Sequence, residues 1–389
     1  MNPDLFRENS AGRVIKTGQG EAAYWAFLPN RLPPVLDIDW NLAASLSEAD
    51  RAVSELAGLS RMLPNPNLFI HPFLRREAVS SSKIEGTHSD LTDLYIFEGG
   101  QLGLPGVEAA RPHDEDVREV FNYVRALETG LAQLEDTRVS LWTLRGLHKI
   151  LLDGVRGQYA TPGEFRTRQN WIGGETINQA VFVPPPVIEL EPALNQLEQY
   201  FYQDDYPPLI RLALIHYQFE AIHPFVDGNG RIGRLLLSLL LVSWKLLPLS
   251  LLHLSAYIEP HRQEYYDLLL NVSQQGAWRD WILFFLRATT TQAQDTCLRI
   301  KHIQDLQEKW HGQLIEAHAT HAVFHLADYL FEAPILTIPM AQKVLAMTYH
   351  GAERSVNKLI QLGILSPMDD RRYGRAFLAK AILESLLNH

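Results

Sequence analysis

A single cysteine, Cys297, among 389 residues excludes a disulfide framework and a cysteine-rich zinc site, each of which needs several sulfurs. A reducing, cytoplasmic setting is the matching expectation. Long apolar runs are also scarce. The most apolar stretch, residues 235–244, is followed by Lys245 and Pro248 and falls short of the roughly 20 residues that cross a bilayer. It reads as a buried helix, and no membrane association is expected. From Met1 to about Leu28 no basic region precedes an apolar one, so no secretory signal is expected. Long-period repeats and low-complexity tracts are missing too, which argues against solenoids and propellers. Positive charge is in deficit, with 35 Lys and Arg against 45 Asp and Glu, a net of −10. That disfavours a chain-wide nucleic-acid surface, yet a phosphate site needs only a few local cations and backbone N–H groups.

Apolar material is plentiful: 46% hydrophobic residues, with 8 Trp, 14 Tyr and 16 Phe, enough for packed cores and too much for a disordered chain. Single cores stop growing at roughly 250–300 residues, so two or three domains are expected. Apolar residues recur with helical spacing, as in Val117, Val120, Phe121, Val124, Leu127 and Leu131, and the fold class is mainly α. Gly and Pro punctuation divides the chain into a segment over 1–105, a helical core over 106–290, a polar connecting helix over 291–318 and a compact tail over 319–389. Residues 176–183, β-branched and bounded by Gly and Pro, predict a short β-hairpin. In the tail, helices over 323–331, 338–347 and 352–361, broken at Pro334 and Gly351, precede an alternating ribbon over 364–377. That order predicts a winged-helix domain. Its seven Lys and Arg against six Asp and Glu leave DNA and protein both open as partners. Arg371, Arg372 and Arg375 would stand at the wing tip.

The chemistry concentrates in His223-Pro-Phe-Val-Asp-Gly-Asn-Gly-Arg-Ile-Gly-Arg234, between two apolar helical runs. A residue before proline leaves the α region, so the first helix should end by displaying His223 in the loop. Asp227, Gly228, Asn229 and Gly230 supply successive backbone N–H groups, with glycines that allow close approach, feeding into a helix N-terminus. Arg231 and Arg234 share a face of the first turn, where cations oppose the helix dipole unless an anion sits between them. A base, a metal ligand and an anion cradle thus fall within twelve residues.

This stretch resembles the complete signature of the Fic (filamentation induced by cAMP) family, HPFx[D/E]GNGRxxR. The resemblance implies a protein adenylyltransferase that moves AMP from ATP to a Ser, Thr or Tyr hydroxyl of a target protein or of itself. In that scheme His223 is the catalytic base and Asp227 holds Mg²⁺. Gly228, Asn229, Gly230, Arg231, Ile232, Gly233 and Arg234 bind the nucleotide phosphates. Residues 75–87 resemble the family's inhibitory segment, [S/T]xxxE[G/N], with Ser81, Glu85 and Gly86 at its fixed positions. Glu85 is then expected to pair with Arg234, displacing the γ-phosphate and restraining transfer. Residues 163–173 and 182–185 resemble the family's flap, which places Gln179, Ala180, Val181 and Phe182 over the nucleotide. Residues 257–266 also resemble the family, and Tyr265, Tyr266 and Ser273 are the candidates for the adenine pocket. The resemblance extends to a C-terminal winged helix and to dimer formation, for which Tyr24, Trp25 and Trp40 offer aromatic surface. Three other functions stay open: a DNA-binding regulator that uses the core as a nucleotide sensor, removal of AMP, and transfer of another nucleotide.

Overall fold

The computed structural model describes residues 1–101, 114–155, 160–368 and 375–387. In chain order the elements are β1 (Gly12–Thr17), β2 (Tyr24–Pro29), α1 (Trp40–Arg61), α2 (Asn67–Ile84), α3 (Leu91–Gln101), α4 (Asp114–Gln133) and α5 (Leu141–Leu151). Then come α6 (Val187–Tyr200), α7 (Pro208–Ile222), α8 (Asn229–Ser243), α9 (Ser255–Ile258), α10 (Arg262–Gln275) and α11 (Trp278–Glu316). The last part adds α12 (His321–Glu332), β3 (Ile335–Thr337), α13 (Ile338–Leu345), α14 (Tyr349–Gln361), β4 (Ser366–Pro367), β5 (Ala376–Leu378) and α15 (Lys380–Leu387). The protein is mainly helical, as the periodicity predicts, and among the described residues no helix is long and apolar enough to cross a membrane.

Two compact units form, and neither is a continuous stretch: residues 1–57 with 125–293, and residues 58–124 with 294–389. This differs from the linear division expected above. The segment 1–105 contributes to both units, and 291–318 is the later part of α11, a single helix of 39 residues. The reason is what covers each apolar face. Buried Leu68, Phe69, Phe73 and Leu74 of α2 belong to a helix that packs on α12 and α15, more than 200 residues away in sequence. Periodicity announces that a face is apolar, not which distant element will cover it.

In the first unit α7 is buried nearly all round, the property of a central helix. It packs closely on α8 at Gly233, where a Cβ would come within 2.6 Å of Glu220 Oε1 and 3.1 Å of the Phe219 ring. β1 and β2 pair antiparallel, Gly12 opposite Pro29 and Thr17 opposite Tyr24, a hairpin that the sequence reading leaves out. It braces the flap: the Phe27 N–H donates to Val183 C=O at 2.8 Å, and the Phe6, Phe27 and Phe182 rings cluster with centroids 5.7–6.3 Å apart. The flap itself is more turn than ribbon. Ile172 and Phe182 form one isolated bridge, and Gln179 N–H closes a turn on Thr176 C=O at 2.9 Å. Gly173 and Gly174, at φ +70° and +74°, take the chain out of the extended region before a second pair can form.

In the second unit α2 packs on α3, α12 and α15. Asp295 Oδ2 accepts from Arg76 Nη1 at 2.9 Å and from Arg299 Nε at 2.8 Å, and Arg299 Nη1 also reaches Ser385 C=O at 3.2 Å. Burial works to raise the Asp295 carboxyl, but the Arg299 and Arg76 guanidinium groups outweigh it and hold the carboxyl below its ordinary value. Tyr123 donates to buried Glu77 at 3.2 Å. α12, α13 and α14 accompany a three-stranded antiparallel sheet in the order β3-β5-β4. Gly351 does not break a helix as expected; it lies inside the first turn of α14, where its N–H donates to the capping Thr348 hydroxyl at 3.3 Å. Arg371 and Arg372 lie outside the described residues, and Arg375 immediately precedes β5.

Candidate functional site

α7 ends at Ile222, and His223 takes the left-handed conformation, φ 49° and ψ 63°, while its N–H still donates to Phe219 C=O at 3.0 Å. The α region is thereby avoided before Pro224, at the cost of a positive φ that a side chain rarely adopts. The His223 Nδ1 lies 3.3 Å from Glu220 C=O, so the neutral ring carries its proton on Nδ1 and its lone pair on Nε2. Gly228 is also left-handed, φ 78°, and starts α8. The N–H groups of Asn229, Gly230 and Arg231 then open the helix without intrahelical acceptors, which is the anion-binding end.

Charge is distributed unevenly over this turn. Arg231 and Arg234 are buried at 4% and 3% exposure, whereas the Asp227 side chain is half exposed. Asp227 Oδ1 accepts from Gly228 N–H at 2.7 Å, and Oδ2 stands 3.8 Å from Arg231. Among the described residues no group of three or more His, Cys, Asp or Glu side chains could hold a metal by itself. A divalent ion at Asp227 would therefore take most of its ligands from phosphate and water, the usual habit of Mg²⁺.

Four side chains fix the loop through hydrogen bonds to its backbone. The Asn229 amide clasps Phe225, accepting from its N–H at 2.8 Å and donating to its C=O at 2.9 Å. Asn170 Nδ2 donates to the same carbonyl at 2.9 Å. His148, fully buried, lies parallel to the Phe225 ring at 3.8 Å, accepts from Gly163 N–H through Nδ1 at 2.9 Å and donates from Nε2 to Asp227 C=O at 3.0 Å. Burial lowers it to about 4, so it is neutral at pH 7. Arg166, 1% exposed, donates to the carbonyls of His223 at 3.0 Å, Pro185 at 2.6 Å and Ile222 at 3.4 Å. Burial lowers its guanidinium to about 10, which leaves it charged at pH 7. Sequence reasoning assigned no role to His148, Arg166 or Asn170. The available signal was a charged residue in residues 163–173 and a polar one on the apolar stripe of α5.

The remaining candidates divide by placement. Gln179 and Val181 are exposed on the flap, and Ala180 and Phe182 are buried beneath it. Ile232 and Gly233 are buried in α8, so the Ile232 side chain serves the core. Tyr265 is buried and its hydroxyl lies 2.8 Å from His216 Nε2; burial and then Arg234 lower His216 to about 3. Ser273 is buried against the Tyr217 hydroxyl at 2.9 Å. Tyr266 is 41% exposed and is the accessible member of the three adenine candidates. Tyr24 donates to Gln169 Oε1 at 3.1 Å, and Trp40 is 88% exposed. Ser81, Glu85 and Gly86 belong to the other unit. There α2 ends at Ile84, Glu85 N–H donates to Ser82 C=O at 3.0 Å, and Gly86 takes φ +97° with its N–H on Lys83 C=O at 3.0 Å. Ser81 is buried and Glu85 exposed.

Residues 43–132 match the Fic/DOC family N-terminal domain, and residues 138–241 match the Fic/DOC family. Over 130 residues the chain is 33% identical to Protein adenylyltransferase Fic of Aedes aegypti, covering 33% of this chain and 23% of that protein. The protein of the same name from Nematostella vectensis is 26% identical over 293 residues, 74% of this chain and 62% of that protein. The chain thus spans less than two thirds of these curated relatives. Among solved structures, a Fic family protein from Desulfovibrio desulfuricans G20 superposes with a TM-score of 0.56 at 19% identity, over 90% of this chain and 98% of that one. Fic-1 of C. elegans gives 0.50 at 21% identity over 67% and 74%. These likenesses show a shared fold.

Proposed function

Since the chain belongs to the Fic/DOC family, we propose that it is a protein adenylyltransferase, moving AMP from ATP to a side-chain hydroxyl of a target protein. The observation that carries this reading is the juxtaposition at one helix junction: His223 at the end of α7, three opening N–H groups of α8, and two buried arginines in its first two turns. Helix N-terminus and guanidinium groups bind the polyphosphate, and the imidazole waits one loop away.

In the reaction the target hydroxyl oxygen bonds to the α-phosphorus while the bond from that phosphorus to the bridging oxygen of the β-phosphate breaks. The hydroxyl proton passes to His223 Nε2, and pyrophosphate leaves. Charge that develops on the phosphates falls to Arg231, Arg234 and the N–H groups of residues 229–231. Mg²⁺, held by Asp227 and phosphate oxygens, would supply electrostatic stabilisation of the same charge. General-base help from histidine is worth about 10²–10⁴-fold.

Restraint follows from competition for one donor set. Glu85 pairs with Arg234 in the restrained state and takes the place of the γ-phosphate, because carboxylate and phosphate bind guanidinium in the same way. Glu85→Gly should raise incorporation of label from α-³²P-ATP into protein, including the enzyme itself, and His223→Ala should abolish it while ATP binding stays within a few-fold. Equal labelling by Glu85→Gly and wild type would remove the restraint, and label arriving only from γ-³²P-ATP would replace adenylyl transfer with phosphorylation.

A further inference from the structure

At the positive φ of His223, its carbonyl accepts a side-chain hydrogen bond from a residue 57 positions away. Arg166 donates from Nε to the His223 carbonyl and from Nη2 to those of Ile222 and Pro185, and its own backbone N–H donates to Pro224 C=O at 2.9 Å. Ile222 and His223 close α7, where the last carbonyls lack intrahelical donors and carry the negative end of the helix dipole. Pro185 closes the other side: it lies three residues past Phe182, where the flap returns from its bridge to Ile172. One planar guanidinium therefore joins the residue bearing the base to the chain that leaves the flap. Burial at 1% exposure removes competing water, and a buried cation is retained only when many acceptors surround it.

We propose that Arg166 is a positioning residue for transfer, setting the left-handed turn of His223 and its register against the flap, in a way that rests on the adenylyl-transfer reading above. It touches neither nucleotide nor target; it acts through carbonyls. Lysine keeps the charge and most of the stem but not the fork that reaches three carbonyls at once. A shift of about 1 Å in a reacting group costs on the order of 100-fold in rate, so the loss should appear in turnover rather than in nucleotide affinity.

The test uses Arg166→Lys in the Glu85→Gly background. Three quantities decide it: turnover of AMP transfer, affinity for α,β-methylene-ATP with Mg²⁺, and the His223 imidazole carbon-proton resonance, assigned by its loss in His223→Ala. Expected are a turnover lower by about 10–100-fold, an analogue affinity within twofold of the parent, and a shifted or broadened His223 resonance in a protein that still melts cooperatively. Unchanged turnover with an unchanged resonance overturns the proposal, and so does a parallel loss of turnover and analogue affinity. Should the parent transfer no AMP, the function reading fails by itself. The resonance then decides Arg166 alone, an unchanged signal in folded Arg166→Lys overturning its role. If Arg166→Lys fails to fold, Arg166→Gln, which can still donate to one carbonyl, is measured the same way.

Discussion

The loop over 222–229 and the helix α2 are both fixed by buried polar groups, but by opposite means. Asn229, Asn170, His148 and Arg166 hydrogen-bond the loop through its backbone carbonyls and N–H groups, His148 also stacks on the Phe225 ring, and none of these bonds uses the side chain of His223 or Asp227. Around α2 the bonds run from side chain to side chain: Arg75 to Glu98 at 2.8 Å, Arg76 and Arg299 to Asp295, and Tyr123 to Glu77. In α2, ion pairs among side chains tie the helix to α3 and α11, and Arg299 extends the link to α15 through the Ser385 carbonyl. Pairing by charge also makes the second region the more sensitive to losing a single partner.

Substitutions can break this contrast. The largest effect is expected at Asp295, because Asp295→Asn leaves Arg76 and Arg299 sharing a buried neutral amide. Removing one partner of a buried ion pair costs roughly 3–5 kcal/mol, to be read by chemical denaturation. If instead the cost is near that of an exposed pair, the second region is not held by charge. His148→Phe keeps the ring over Phe225 but loses both hydrogen bonds, which should cost about 1–3 kcal/mol and lower transfer.

The pH dependence of His148→Phe sharpens the comparison. The histidine is lowered from 6.5 to about 4 in the folded state, so its contribution is complete above pH 6.5 and is lost as pH falls from there toward 4. A shift of that size corresponds to roughly 3 kcal/mol, and the phenylalanine variant should show a flatter stability profile in that window. Asp295, a depressed carboxyl, contributes above the ordinary carboxylate range near 3.9 and is lost only in more acid solution, so Asp295→Asn should flatten the profile there. The smallest effect is expected for Glu98→Gln, where Arg75 and Glu98 side chains retain 14% and 18% exposure; about 1 kcal/mol or less is the range for such a pair.

How much of this was legible beforehand varies by element. The turn from His223 to Arg234 was readable because its logic is local: proline after histidine, glycine where φ must be positive, arginines one turn apart. The end of α2 was readable for the same reason, with Gly86 taking the positive φ that closes it. The flap was readable only in part, since β-branched residues in 176–183 signal extended chain, yet Gly173 and Gly174 limit its pairing to one bridge. The β1–β2 hairpin was missed, and so was the role of the helix α5 histidine. A buried His148 looks like any polar residue interrupting an apolar stripe until Gly163 and Asp227 are seen beside it.

Sequence alone determined the local chemistry of this protein: which residues cap, turn, donate and bear charge, and hence a helix junction that gathers a histidine, backbone N–H groups and two arginines within an acidic chain. Tertiary structure decided which distant residues meet. It placed α2 in a unit with the C-terminal helices, and it delivered Arg166 and His148 to the backbone of the 222–229 loop. Turns and caps depend on φ, ψ and neighbours within four residues, which the sequence states directly. Burial and long-range hydrogen bonds depend on how apolar faces find one another across hundreds of residues, and only the folded chain resolves that choice.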